Sequence, residues 1–380
     1  MASMGVSDVL DRFLCRFLSD QPSLNEDQWR AVQAIQLCRT PALGGQGYTC
    51  RQCKHVHWAF HSCNHKACPR CGRDATARWV QRELDKLVHA PYFMTTFTLP
   101  AQLRTHFFGP HAKEAFDLFF AATSKALSEK LAFPKWLGAT TNGFTGVLHT
   151  WNQQMLPHIH IHYIVPGAGL DAQGQFVRVK SDSFLVHQHP LRGAFRDYFR
   201  QEVQRLGWDV DPKVWELEWG VEITPFGTGE NAVKYLGAYV ARSVIADGRI
   251  LAMTHDTVTF SWKDRRQGGV NKPLTLPGTQ FVQRYLRHVL PRGLRAIRYF
   301  GFCHPAAKKK RIQIQFQSGR PLLVGSDLTA ATEKEDLYSC PKCGAGLMDP
   351  TFSLDRSGHI TIHNNRGPPQ QDTSREAAAV

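Results

Sequence analysis

Between Pro157 and Pro166 the chain reads Pro-His-Ile-His-Ile-His-Tyr-Ile-Val-Pro, a run that only an extended strand can sort into two chemically distinct faces. Successive side chains of a strand point to opposite sides. His158, His160 and His162 therefore share one face, while Ile159, Ile161, Tyr163 and Val165 fill the other. A lone histidine in such a place is usually a hydrogen-bonded core residue. Three alternating ones predict a site for one divalent metal, held by neutral imidazoles whose second nitrogens need hydrogen-bond partners of their own.

A second pattern supplies a reactive group. Tyr235 and Tyr239 stand four apart in Lys-Tyr-Leu-Gly-Ala-Tyr-Val, within a segment that reads as a helix over 229–246. Val233, Leu236, Val240 and Val244 form its apolar stripe. At 100° per residue the two tyrosines fall together roughly 125° from the centre of that stripe, beside Arg242. One helical turn sets their hydroxyls about 6 Å apart along one face. A phenol, with a pKa near 10, is a poor nucleophile at neutral pH and needs a cation to polarise the phosphorus. Metal plus tyrosine thus predicts covalent phosphoryl transfer. A phosphotyrosine retains the energy of the broken phosphodiester, so strands can be rejoined without ATP, and two tyrosines let one hold an end while the other attacks.

Charge agrees with a nucleic-acid substrate. The chain carries 46 Lys and Arg against 32 Asp and Glu, a net +14, which favours a polyanionic partner. No stretch approaches the roughly 18 consecutive apolar residues of a membrane span. Met1 to Asp20 reads as an amphipathic helix rather than a signal peptide, which places the protein in the cytoplasm. In that reducing setting the ten cysteines, most in Cys-x2-Cys pairs, predict zinc rather than disulfides.

Cys50, Cys53, Cys68 and Cys71 are the expected ligands of a structural Zn2+, two knuckles closing one tetrahedral site. Cys63, with His57, His61, His65 and Cys38 nearby, can replace one ligand or build a second site. Arg70, Arg73, Arg78 and Arg82 around this segment are expected to face DNA phosphates, as is Arg242 on the tyrosine helix. Near the other end Cys340, Cys343, His359 and His363 carry the spacing of a second zinc site, although His359 to His363 reads as a strand rather than a finger helix.

The expected division is an N-terminal zinc-binding, DNA-recognition domain over 1–89, a catalytic domain over 90–305, a basic region over 306–363 and a disordered tail over 364–380. Strands are expected over Tyr92 to Leu99 and Gly143 to Trp151 besides the histidine run. Helices are expected at about 111–131, 190–206, 229–246 and 279–289, and from Asp74, as N-cap, to Val88. Strands mixed irregularly with helices, without a glycine-rich nucleotide turn, favour an α+β layer over a doubly wound sheet.

Together these parts resemble the rolling-circle transposases of the insertion sequence 91 family, within the HUH endonuclease superfamily. Ser62-Cys-Asn-His-Lys-Ala-Cys-Pro-Arg-Cys71 resembles the family's zinc module, and Cys38-Arg-Thr before it also fits. Phe97-Thr-Leu-Pro100 is similar to the first strand motif of HUH enzymes. Pro157 to Gly169 resembles the HUH motif, with His160 and His162 aligning best and His158 as third ligand or supporting residue. Tyr235 to Ser243 is similar to the paired-tyrosine helix, and Phe281 to Gly293 with Ile297 to Gly301 to the downstream block.

The resemblance implies an HUH endonuclease-like fold: a five-stranded antiparallel sheet flanked by helices, with the tyrosine helix beside the metal, behind an N-terminal zinc-binding domain. It implies Mg2+ or Mn2+ at the histidines, Tyr235 and Tyr239 as nucleophiles, and a 5' phosphotyrosine intermediate. It further implies single-stranded DNA, with the hairpin or terminal sequences of a mobile element, as the partner, and association with the nucleoid when bound to it. Two alternatives stay open: a plasmid replication initiator or relaxase using the same chemistry, and a non-catalytic zinc-dependent DNA-binding regulator. The lack of a Gly-x4-Gly-Lys-Ser/Thr loop disfavours initiators fused to a helicase.

Overall fold

The histidine run is indeed a ten-residue strand, Pro157–Pro166, in the middle of a five-stranded sheet. The structure is a computed structural model that describes residues 4–20, 23–240, 243–319 and 339–363, the side chains of 72–75 and 238–240 excepted. The expected tail over 364–380 and Arg242 lie outside the described residues, as do the side chains of Arg73 and Tyr239.

In chain order the helices are α1 (Val6–Asp20), α2 (Glu26–Leu37), α3 (Gly72–Leu84), α4 (Ala112–Ala132), α5 (Gln188–Leu206), α6 (Gly229–Val240), α7 (Gly278–Arg287) and α8 (Lys308–Gln317). The strands are β1 (Gly45–Cys50), β2 (Val56–Phe60), β3 (Tyr92–Thr98), β4 (Gly143–Trp151), β5 (Pro157–Pro166), β6 (Ala168–Leu170), β7 (Phe176–Arg178) and β8 (Gly220–Gly227). They continue with β9 (Ile250–Met253), β10 (Thr257–Asp264), β11 (Val270–Pro277), β12 (Ile297–Gly301), β13 (Met348–Leu354) and β14 (Ile360–Ile362). The chain divides into two compact units, one of Met1–Gln36 with Asn64–Val324, the other of Leu37–Cys63 with Gly325–Val380.

In the first unit the sheet order is β12-β4-β5-β3-β8, every neighbouring pair antiparallel. The isoleucine face of β5 is buried as its alternation requires. Ile159, Ile161, Tyr163 and Val165 pack with Phe116, Phe119 and Leu127 of α4 and with Phe195 and Phe199 of α5. The Tyr163 hydroxyl, taken out of water with its ring, is satisfied by Thr123 Oγ1 at 2.8 Å. Burying each such aliphatic or aromatic side chain contributes roughly 1.5–3 kcal/mol, so this layer fixes the register of β5, and a one-residue slip would turn the histidines inward.

The histidine face carries the other layer. Met94 of β3, Val147 of β4 and Ile164 of β5 pack with Ala232, Val233 and Leu236 of α6 and with Trp79 of α3. Val233 and Leu236 of the expected stripe, with Ala232, seat the helix on the sheet, and α6 packs on β8, β3, β5 and β4; Val244, also expected in the stripe, lies beyond the helix. Between the tyrosines, Gly237 meets α3: a Cβ there would lie 2.3 Å from Val80 Cγ2. Glycine interrupts an otherwise good helix former because the two helices approach too closely for a side chain. Gly237→Val is expected to destabilise the protein by about 1–3 kcal/mol through overpacking. Chemical denaturation measures this, and an unchanged midpoint would show that the approach is dispensable.

The remaining strands of this unit include a meander, β9-β10-β11, that packs on α7, which in turn packs on α1. Val6, Val9, Leu10, Phe13, Leu14 and Phe17 of α1 are buried. That apolar face packs the N-terminal helix within the unit that holds the histidine sheet.

The second unit is built from segments far apart in sequence. Its sheet has the order β14-β13-β1-β2, with β1 antiparallel to both β2 and β13. Trp58 stacks on Phe60 and on Phe352 at ring-centroid distances of 6.2 and 6.0 Å. The expected region over 306–363 is thus divided, since α8 falls in the first unit and β13 and β14 in the second. Helix α3 starts at Gly72, with Cys71 at the N-cap position, rather than being capped by Asp74.

Candidate active site

Register brings the nitrogens of three histidines together. His149 of β4 lies directly opposite His160 of β5, and His149 Nδ1 stands 3.3 Å from His160 Nε2. That separation suits two ligand atoms sharing one cation at roughly 2.1 Å each. His149, His160 and His162 each offer one nitrogen within 4.8 Å of the others. The ring of His149 is 5.1 Å from that of His160 and 5.2 Å from that of His162, centroid to centroid, so the three form a triangle bridging two strands.

His158 was expected among these ligands and is not in the set. The reason is geometric. Directly opposed residues on antiparallel strands bring their Cβ atoms to roughly 4.5–5.5 Å, so His149 meets His160 and His162 from across the ladder and closes the triangle on the His162 side. His158, one step beyond His160 on the same face, falls outside it. What it contributes is its carbonyl, which accepts a 2.9 Å hydrogen bond from His160 Nδ1. Thr96 of β3 is hydrogen-bonded to His162 Nδ1 at 2.8 Å. These two bonds are the second-nitrogen partners the sequence could not name, and both leave Nε2 to face the centre.

Burial keeps the imidazoles in the form that binds a cation. It pushes His160 well below the usual histidine value, with His149 and His162 adding to the effect. Burial likewise lowers His162 to about 4, with the Arg265 guanidinium the next cause. His158 is lowered by burial, then by Arg104 and Arg265. Those two guanidiniums therefore bear on the histidine face. Arg104 Nε is buried and makes no hydrogen bond among the described residues. Neither arginine was singled out from sequence; Arg104 lies four residues past Phe97-Thr-Leu-Pro100 and Arg265 just after β10, and no motif marks them.

Tyr235 lies on the helix that covers this same face. It is 37% exposed, while Val233 and Leu236 are buried, as expected for a tyrosine off the apolar stripe. Its ring sits 5.0 Å from that of Phe226 on β8. Tyr239 is on the backbone of α6 one turn later.

Comparison with known proteins bears on what such a site serves. Residues 143–311 match the family described as "Putative transposase", and residues 9–99 match the "Transposase zinc-binding domain". Over 375 residues the chain is 33% identical to the "Putative transposase y4qJ" of Sinorhizobium fredii, which spans 90% of this chain and 94% of that one. The chain belongs to the IS91 family of transposases. A further relative, the transposase for insertion sequence element IS801 of Pseudomonas savastanoi pv. phaseolicola, is 27% identical over 363 residues, 87% of this chain and 85% of its own length. Among solved structures, TrwC complexed with a 27-mer DNA comprising the recognition hairpin and the cleavage site aligns at 10% identity with 60% of this chain and 74% of that one. Its TM-score of 0.26 is too low to establish a common fold.

Within this IS91-family chain the cysteines expected to hold zinc are grouped differently from their order in sequence. Cys50 and Cys53 fall with Cys340 and Cys343, and not in one four-cysteine site with Cys68 and Cys71 as expected. The cause is the pairing of β1 with β13, a long-range contact that no local spacing announces. His359 and His363, expected with Cys340 and Cys343, are not in that group. They flank the exposed strand β14, where His363 Nε2 lies 3.0 Å from Ser353 Oγ.

The arginines expected at DNA divide as well. Arg70 is engaged internally, within 3.5 Å of the Asp247 carboxylate and 2.6 Å from Ser7 Oγ. Arg78 and Arg82 are exposed on α3. Arg82 also lines a cavity of about 720 Å³ with Trp79, Trp151, Arg292 and Arg295. Trp151 lies two residues beyond His149, its ring 5.7 Å away. No helix among the described residues is long and apolar enough to cross a membrane.

Proposed function

We propose that this transposase nicks and rejoins single-stranded DNA at the ends of its element through a 5' phosphotyrosine intermediate, in rolling-circle transposition. The observation that carries the reading is the trio His149, His160 and His162, convergent on the sheet face covered by the helix of Tyr235 and Tyr239. A divalent cation bound there would supply Lewis-acid polarisation of the scissile phosphate. Mg2+ and Mn2+ are the ions expected there.

The chain's own groups do the rest. A tyrosine oxygen attacks phosphorus, the new bond to the 5' phosphate forms as the bond to the 3' oxygen breaks, and that oxygen leaves as a free 3' hydroxyl. Arg104 and Arg265 offset the charge of the phosphates flanking the break. The cavity beside Trp151 gives an unpaired strand an aromatic face on which to stack and cations to follow its backbone.

Incubation of the protein with Mn2+ and a labelled single-stranded oligonucleotide bearing an element end is expected to give a protein-DNA adduct on a denaturing gel. Binding without any adduct would favour a non-catalytic zinc-dependent regulator. Mapping the cleaved position against the flanks of the encoding element separates a transposase end from a plasmid origin.

A further inference from the structure

Cys340 and Cys343 lie outside both matched family segments, which end at residues 99 and 311, yet they sit beside Cys50 and Cys53. The sulfurs of Cys50 and Cys343 are 3.8 Å apart, and those of Cys53 and Cys340 are 3.6 Å apart. Four thiolates around Zn2+, with bonds of roughly 2.3 Å, form a tetrahedron whose edges are roughly 3.8 Å. A disulfide would bring two sulfurs to roughly 2.05 Å. The spacing is that of a metal site.

The two Cys-x2-Cys turns are built alike. Cys50 N donates to the His55 carbonyl at 2.9 Å, and Cys340 N to the Gly346 carbonyl at 2.7 Å. The amide after each second cysteine returns to the first carbonyl, Lys54 N to Cys50 O at 3.1 Å and Gly344 N to Cys340 O at 2.8 Å. Lys54 and Gly344 both have positive φ, 57° and 70°. Amides also point at the sulfurs: Cys53 N at Cys50 Sγ, Lys342 N at Cys340 Sγ and Gly346 N at Cys343 Sγ, each at 3.4 Å. Such bonds orient thiolates and stabilise their charge. A side chain at Gly346 would put its Cβ 2.3 Å from Cys50 Sγ, so the backbone itself is drawn in close around the cluster.

We propose that Cys50, Cys53, Cys340 and Cys343 bind one structural Zn2+, closing a zinc ribbon whose two knuckles are separated by nearly the whole chain. Among the described residues the unit's buried apolar cluster consists of Cys50, Cys340 and Met348, with Tyr48 packed against it. A core so small contributes little against the entropy of ordering two remote segments, and a bound metal adds to it. The site is independent of the nicking chemistry proposed above.

Elemental analysis of the full-length protein, purified with reductant, tests the assignment. Cys340→Ser and Cys343→Ser are each expected to lose one zinc atom per chain relative to the unsubstituted protein, while Cys15→Ser, altering an exposed cysteine outside the cluster, loses none. A measurement on the unsubstituted chain guards against misfolded variants. Alkylation followed by peptide mapping is expected to modify Cys50, Cys53, Cys340 and Cys343 slowly before chelation and rapidly, as a set, after it. Unchanged zinc in both serine variants, or Cys340 and Cys343 reacting equally fast with and without chelator, would overturn the proposal.

Discussion

The Tyr235→Phe, Tyr239→Phe double variant is expected to form no covalent adduct with single-stranded DNA and to lose strand joining by at least about a thousandfold, the scale on which enzymes suffer when the attacking atom is removed. Phenylalanine keeps the ring, so the contact of residue 235 with Phe226 and the packing of α6 through Ala232, Val233 and Leu236 persist. Binding of the oligonucleotide should therefore survive. Each single variant is expected to lose one of two transfer steps, the cut at one end or the attack on the second strand. Adduct mapping by mass spectrometry reads which tyrosine carries which end. Normal joining by the double variant would eliminate a phenolic nucleophile.

The second large effect separates His158, which the sequence singles out, from His149, which it does not. His149→Ala is expected to lower Mn2+-dependent cleavage by at least about a hundredfold, because it removes a ligand rather than a supporting group, whose loss alone typically costs 10–100-fold. Raising the Mn2+ concentration should recover part of the rate. His158→Ala is expected to change cleavage only a few-fold, since the carbonyl that fixes His160 belongs to the backbone. Zinc in the cysteine cluster should stay constant in both, as in His160→Ala. The opposite order, with His158 indispensable and His149 replaceable, would move the third ligand back onto β5.

That contrast shows where reading the sequence succeeds and where it stops. Alternation within Pro157 to Pro166 identified a strand, its apolar face and two of the three convergent imidazoles, because side-chain direction in a strand is a local property. His149 carried a signal too. It stands in Gly143 to Trp151, an expected strand, on the face shared with Val147, but its pairing with His160 depends on a register that nothing local fixes. The stripe of α6 was legible for the same reason as β5 as far as Leu236; residues 241–242 lie outside the described residues, and 243–246, expected within the helix, are not helical.

The cysteines show the other limit. Cys-x2-Cys at 50 and 68 lie close in sequence, so proximity favoured joining them, yet ladder pairing between β1 and β13 brings in Cys340 and Cys343 instead. The meander β9-β10-β11 was missed although Val258 and Phe260 alternate with exposed or half-buried neighbours. Its strands mix polar and charged residues into the alternation, and β10 and β11 pack on α7.

The order in which a ribosome delivers β1 and β13 has a consequence for biogenesis. Cys50 emerges 293 positions ahead of Cys343, and at roughly 5–20 residues per second of translation the early hairpin must persist for tens of seconds before its partner strand exists. A nascent or prematurely terminated polypeptide therefore presents β1 as a bare sheet edge, open to pairing with foreign strands. Only a completed polypeptide can cover it.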